Sequence, residues 1–160
     1  MARAVARDEF HKQLTQEARQ MAKITTKRFP PFSRYVCIGD SVSIEVDGFE
    51  VVARIENDED SRIDDDDHHC ADQNVTGCDD EQFARLLKAR RAWNNDEWCY
   101  CGIVLSVRRS GVTLDDHAAS RYRVEMNYPG RNNGYLSVCA DEMLDEAIER
   151  GRAILETLSN

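Results

Sequence analysis

Hydrophobic residues recur along this chain with different periods, and each period predicts a different element. Across "DEFHKQLTQEARQMAKI", Phe10, Leu14, Ala18 and Met21 fall at three- and four-residue steps, which predicts an amphipathic helix. The consecutive prolines of "FPPF" force extended backbone before them and stop that helix by Phe29. In "DSVSIEVDGFEVVARI" the period falls to two. Val42, Ile44 and Val46 alternate with polar residues, and Phe49, Val51, Ala53 and Ile55 repeat the pattern. Asp47-Gly48 between them supplies the positive φ values of a type I′ turn, so residues 42–55 read as an antiparallel hairpin.

From about residue 57 to 78 no period is visible, and this stretch reads as a long loop or insertion. A helix is predicted to start at Asp79, which can cap it, with Gln82 at the capping-box position. Phe83, Leu86, Leu87 and Trp93 would form its buried face, and Asn94-Asn95 its end. "EWCYCGIVLSV" is apolar at both parities, as a central strand is. "RRSG" reads as a turn, "VTL" as a short strand, and "LDDHAAS" as a turn joining two strands. "SRYRVEMNY" then alternates at Tyr122, Val124, Met126 and Tyr128, and Pro129-Gly130 fits the centre of a type II turn. The last element is a helix with one apolar stripe: Leu136, Ala140, Met143, Leu144, Ala147, Ile148, Ile154, Leu155 and Leu158. This order predicts an α+β fold: a two-layer domain with an antiparallel sheet of four to five strands covered by helices. Residues 1–160 are expected to form a single domain, with the acidic loop or insertion at about 57–78.

Length and composition are consistent with that. A chain of 160 residues with 41% apolar side chains can bury a core. No stretch reaches the ~18 apolar residues of a membrane span, and "MARAVARDEFHKQ" lacks the apolar region of a secretory signal. The expectation is a soluble, cytoplasmic protein whose six cysteines are reduced.

Charge changes the picture more. The net charge is −9, yet residues 56–81 hold twelve acids and one base, Arg62, a local charge of −11. The rest of the chain is slightly basic, and residues 1–35 carry eight Lys/Arg against three acids. An acidic segment of this density repels phosphate, which argues against direct nucleic-acid binding, and attracts basic surfaces. The residues that would face such a partner are Asp58, Glu59, Asp60, Asp64, Asp65, Asp66, Asp67, Asp72, Asp79, Asp80 and Glu81. The plain alternative is a solvated, self-repelling loop.

Other chemistries are weaker. His68, His69, Cys70 and Cys78 are zinc-type ligands, but adjacent side chains diverge, and the two-to-four-residue gap of paired ligands is missing. No glycine lies within 64–72, so no EF-hand register fits. Cys99 and Cys101 share one face of a strand with Ile103, Leu105 and Val107, which reads as core. The functional alternative is a ligand pair completed by Cys70, Cys78 or a histidine. His117 stands beside Asp115, Asp116 and Ser120, but catalytic triads converge from distant parts of a chain, and Asp and Ser here suit local backbone hydrogen bonds. No glycine-rich phosphate loop, H-E-x-x-H or G-x-S-x-G is present, and no cofactor is implied. Arg90, Arg91, Trp93 and Trp98 could stack bases, but the acidity favours tryptophans that anchor a helix to the sheet.

Three stretches carry a resemblance: "NDEWCYCGIVLSV", "DDHAAS" and "NYPGRNNGYLSVCADEMLDEAI". They resemble a group of uncharacterised small proteins of proteobacterial phages and genomic islands, with the pattern DEWxYCG, then DHA, then NYPGxNxYL. The likeness covers roughly residues 29–55 and 91–150 and leaves out the acidic segment. No activity comes with these motifs. They imply a genetic setting in which small accessory proteins block host defences, anti-CRISPR proteins among them. One departure is specific: "SRYRVEMNYPG" stands where the pattern has "SLWGIECNYPG", so Arg121 and Arg123 replace an apolar and a small residue. The resulting expectation is a non-enzymatic mobile-element protein. It would inhibit a host protein or ribonucleoprotein complex by occupying its basic nucleic-acid-binding surface. The rival is a Cys/His metal-binding module or small enzyme.

Overall fold

The computed structural model describes residues 27–63 and 79–159. Strands β1 (Ser41–Val46) and β2 (Phe49–Asn57) are followed by helix α1 (Asp80–Asn94), strands β3 (Cys99–Arg109) and β4 (Val112–Met126), and helix α2 (Gly134–Leu158). The strands form one antiparallel sheet in the order β1-β2-β3-β4. It packs against the two helices as a two-layer α+β fold. The amphipathic helix predicted near the N-terminus lies outside the described residues, as do His68, His69, Cys70 and Cys78.

The β1–β2 hairpin closes with Val46 opposite Phe49, and Asp47 (φ 53°) and Gly48 (φ 79°) supply the two positive φ values that a type I′ turn needs. Ser110 (φ 51°) and Gly111 (φ 79°) repeat the device between β3 and β4. Strand β3 is interior and buried along nearly its whole length, as its apolar residues at both parities predict. Its Cys101, Ile103, Leu105 and Val107 join Val51, Ala53 and Ile55 of β2 in the main core. Helix α2 completes that core with Leu136, Ala140, Met143, Leu144, Ala147 and Ile148. At Gly151 a Cβ would lie 2.9 Å from Val107 Cγ2 and 3.1 Å from Phe49 Cε1, so a glycine lets the helix sit close on the sheet.

Four expectations are corrected. "VTL" and "SRYRVEM" are not separate strands, and "LDDHAAS" is not a turn; all belong to the 15-residue β4, which ends before Asn127 and Tyr128. The polar run is absorbed by register shifts between Leu105/Val107 and Val107/Arg108, with a third between Cys101/Ile103. An edge strand tolerates this because, among the described residues, the outer side of its ladder is unpaired. The alternation predicted from Tyr122 to Tyr128 holds only at Val124 and Met126. Tyr122 is exposed, and Tyr128 lies beyond the strand. In α1, Phe83, Leu86, Leu87 and Trp93 are only half-buried; the fully buried residues are Ala89 and Ala92, because the helix approaches Trp98 through its small side chains. The stripe of α2 fades at its end, where Ile154 and Leu155 are half-buried and Leu158 is exposed.

An extended strap, residues 27–40, crosses the start of α2, and side chains satisfy its backbone. Asp141 accepts the Phe29 N–H at 2.7 Å. Ser137 Oγ accepts from Phe32 N–H and donates to the Pro30 carbonyl. Asn127 (φ 60°) both accepts from and donates to the backbone of Val36, at 3.0 and 2.8 Å. Asn133, nearly fully buried, donates to the Arg34 carbonyl and to Asn127 Oδ1. The NYPG stretch is thus a fastening. The type II turn read at Pro129-Gly130 is present, with Gly130 at φ 79° and Arg131 N–H donating to the Tyr128 carbonyl.

Candidate partner-binding surface

The acidic segment begins where β2 ends. Asp58 is the first acid past the strand, and its carboxylate is already occupied. It accepts Ser61 Oγ–H at 2.8 Å, Ser61 N–H at 3.1 Å and the N–H of Arg123 from β4 at 2.8 Å. Burial pushes its pKa up, but the hydrogen bonds from Ser61 and Arg123 outweigh burial and hold the carboxyl below its ordinary value. Glu56, one turn of the pleat earlier, is clamped by Arg54 at 3.1 and 2.6 Å and receives the Tyr122 hydroxyl at 3.3 Å. Glu59 and Asp60 are exposed. Glu59 accepts from the Asn57 amide at 3.1 Å, and its carbonyl takes the Arg62 guanidinium.

Ile63 then buries itself in an aromatic cluster with Trp98, Tyr100 and Ala92, against which Trp93 and Tyr128 pack. The rings meet edge-on: Trp93–Trp98 centroids lie 4.9 Å apart, Trp98–Tyr100 5.4 Å and Trp98–Tyr128 4.8 Å. Trp98 Nε1–H donates to the Ala89 carbonyl at 2.8 Å, so the indole satisfies its polar end while fastening α1. The tryptophans therefore anchor the helix at the start of β3 rather than standing free to stack on bases.

Asp79 opens α1. Its carboxylate accepts the Gln82 N–H at 2.7 Å, and the Gln82 side chain accepts the Asp79 N–H at 3.3 Å, the reciprocal capping box expected from "DDEQ". Asp80 and Glu81 are exposed in the first turn, where the positive end of the helix dipole favours carboxylates. Of the eleven acids assigned to the surface, Asp64, Asp65, Asp66, Asp67 and Asp72 lie outside the described residues. Among the other six, Asp58 and Asp79 have structural duties, whereas Glu59, Asp60, Asp80 and Glu81 face solvent. The structure thus places acids at both points where the segment joins the fold, one beside Ile63 and one at the α1 N-terminus.

The remaining candidates are also placed. Cys101 is fully buried in the main core, and Cys99 is half-buried beside it. Burial, reinforced by Cys99, pushes the Cys101 thiol up to about 12. His117 lies within β4, and its N–H donates to Asp115 Oδ1 at 2.9 Å, the local bond that Asp was expected to make. Asp115 also pairs with Arg150 of α2 at 2.8 Å and Asp116 with Arg54 of β2 at 3.5 Å, so the two carboxylates tie β4 to its neighbours. Among the described residues no group of three or more His, Cys, Asp or Glu side chains is arranged to hold a metal ion. No described helix is long and apolar enough to cross a membrane. Sequence reasoning missed the roles of Asp58, Ile63, Asn127 and Asn133. Of these only Asn127, just before the Pro129-Gly130 turn, offered a signal, since Asn tolerates the positive φ it adopts. Comparison with family models, curated proteins and solved structures finds no match to this chain.

Proposed function

We propose that this protein is a binding protein that occupies the basic, nucleic-acid-binding surface of a host protein or ribonucleoprotein complex, presenting its acidic segment in place of phosphates. The observation that carries the reading is the charge concentration: twelve acids and one base within residues 56–81, in a chain that is otherwise slightly basic. The geometry is compatible with it. The segment leaves the fold beside a buried Ile63 and rejoins it at a capped helix, so both its joints are fixed. Glu59, Asp60, Asp80 and Glu81 at those joints are exposed. Duplex DNA carries one charge per ~1.7 Å of axis, and a surface holding several carboxylates presents comparable density. The resemblance to proteins of phages and genomic islands extends the proposal to inhibition of a defence complex, a CRISPR effector being one such target. The protein would act by occupancy in the bacterial cytoplasm, without catalysis or cofactor.

The test is capture of partners from the native host with the tagged protein, followed by competition. Duplex DNA or the partner's own RNA should displace the protein. A partner that holds the protein and nucleic acid at once would contradict the reading. Stoichiometric zinc in the purified protein would favour the rival metal-binding module instead.

A further inference from the structure

Helix α1 presents a second surface, separate from the acidic segment. Asp80, Ala84, Leu87, Lys88 and Arg91 fall at steps of four, three, one and three residues, which places them on one helix face. Ala84, Lys88 and Arg91 are exposed, and Leu87 is only half-buried. An open groove of about 340 Å³ runs along this face, with Pro129 on its far wall. Among the described residues neither Lys88 nor Arg91 makes an ion pair. The face therefore has an apolar middle, Asp80 at its N-terminal end and Lys88 and Arg91 towards its C-terminal end, beyond which Asn95 and Glu97 also line the groove.

We infer that this face is a homodimer seam, on which α1 packs antiparallel against α1 of a second copy of this chain about a two-fold axis. Charge order selects the occupant. In an antiparallel pair centred between Arg85 and Leu86, Asp80 of one copy meets Arg91 of the other, and Ala84 meets Leu87. Each contact occurs twice, as two-fold symmetry requires. A small residue facing a large one lets the helices interdigitate. A parallel copy would set acids against acids. A uniformly acidic partner would suit Lys88 and Arg91 but meet Asp80 and Glu81. A helix of this length spans about 22 Å and buries less than the ~1,600 Å² of a standard interface, so the association is weak and concentration-dependent. The inference does not depend on the acidic segment's role.

Sedimentation equilibrium of the full purified chain tests it, over concentrations from roughly ten to several hundred micromolar. The mass should rise with concentration from 18.3 kDa towards twice that value. Ala84→Glu alters an exposed position, so the fold should persist while the seam opens and the protein stays monomeric. Arg91→Asp should lower the dimer fraction at least tenfold, and adding Asp80→Arg should restore it by exchanging the two charges. A wild-type chain that remains monomeric throughout the range would overturn the inference. Dimerisation that survives both Ala84→Glu and Arg91→Asp would also overturn it, since the seam would lie elsewhere.

Discussion

Arg123 sits at φ 62°, a backbone region where a side chain costs about 1–2 kcal/mol and glycine very little. With Tyr122 it stands opposite Gly102 in the register shift between Cys101 and Ile103, and its N–H is the one that Asp58 holds at 2.8 Å. The backbone conformation thus marks arginine as a costly choice at this position. Arg123→Gly should therefore be more stable than Arg123→Ala by about 1 kcal/mol, as measured by urea unfolding, because both remove the side chain and only glycine relieves the strain. Equal stabilities would mean that the positive φ is not retained in solution. The neighbouring Tyr122 shows the same tight geometry from the other side. Its ring lies so close over Gly102 that a Cβ there would clash with the ring carbon Cε1.

Cys101 sets a pH dependence at this scale. Below about pH 9 its thiol is protonated in both folded and unfolded chains and contributes no pH dependence. Between about 9 and about 12 the unfolded chain releases a proton that the folded chain keeps. Stability should then fall as pH rises through that window, and Cys101→Ser or Cys101→Ala should flatten the alkaline limb in a titration of unfolding free energy. At neutral pH a water-soluble thiol reagent should label exposed Cys37 quickly and Cys101 only on unfolding. Rapid labelling of Cys101 in the folded protein would contradict its burial.

Among the elements, those set by local chemistry were legible. The Pro129-Gly130 turn and the α1 capping box follow from residues within four positions of one another, the hairpin over 42–55 from alternation on either side of Asp47-Gly48, and all three are present. The continuity of β4 was not legible. Asp115, Asp116 and His117 look like a turn in one dimension, but Arg54, Arg150 and the register shifts that hold them in a strand come from elsewhere in the chain. The burial of α1 was misjudged for a related reason: its large residues form the visible stripe, while the contact is made by Ala89 and Ala92 against a tryptophan beyond the helix end. The candidate surface was legible as charge but not as duty, since nothing local reveals that Asp58 is tied to Arg123. Asp79 belongs to this scale. Asp79→Ala should cost about 1 kcal/mol in thermal or urea unfolding, whereas Asp80→Ala should cost only a few tenths, because only Asp79 accepts a backbone N–H. Equal losses would remove the capping assignment.

For the whole molecule the governing feature is the separation of charge. The four-stranded sheet and α2 form an apolar core, and the exposed ion pairs around it are of the kind that contribute little each. A run of four consecutive aspartates repels itself. Replacing Asp64, Asp65, Asp66 and Asp67 by asparagine keeps side-chain size and removes four charges. Thermal stability should be unchanged or slightly raised.

The most direct measurement is the affinity of the captured host partner for the wild-type chain and for this four-Asn variant, at about 50 mM and about 200 mM salt. Binding by the wild type should weaken steeply with salt. The variant should bind at least tenfold more weakly at low salt and show a shallower salt slope, since each carboxylate that meets a basic group contributes about 1 kcal/mol or more. Equal affinities of the two proteins at both salt levels would contradict the account and leave the acidic segment as a solvated loop.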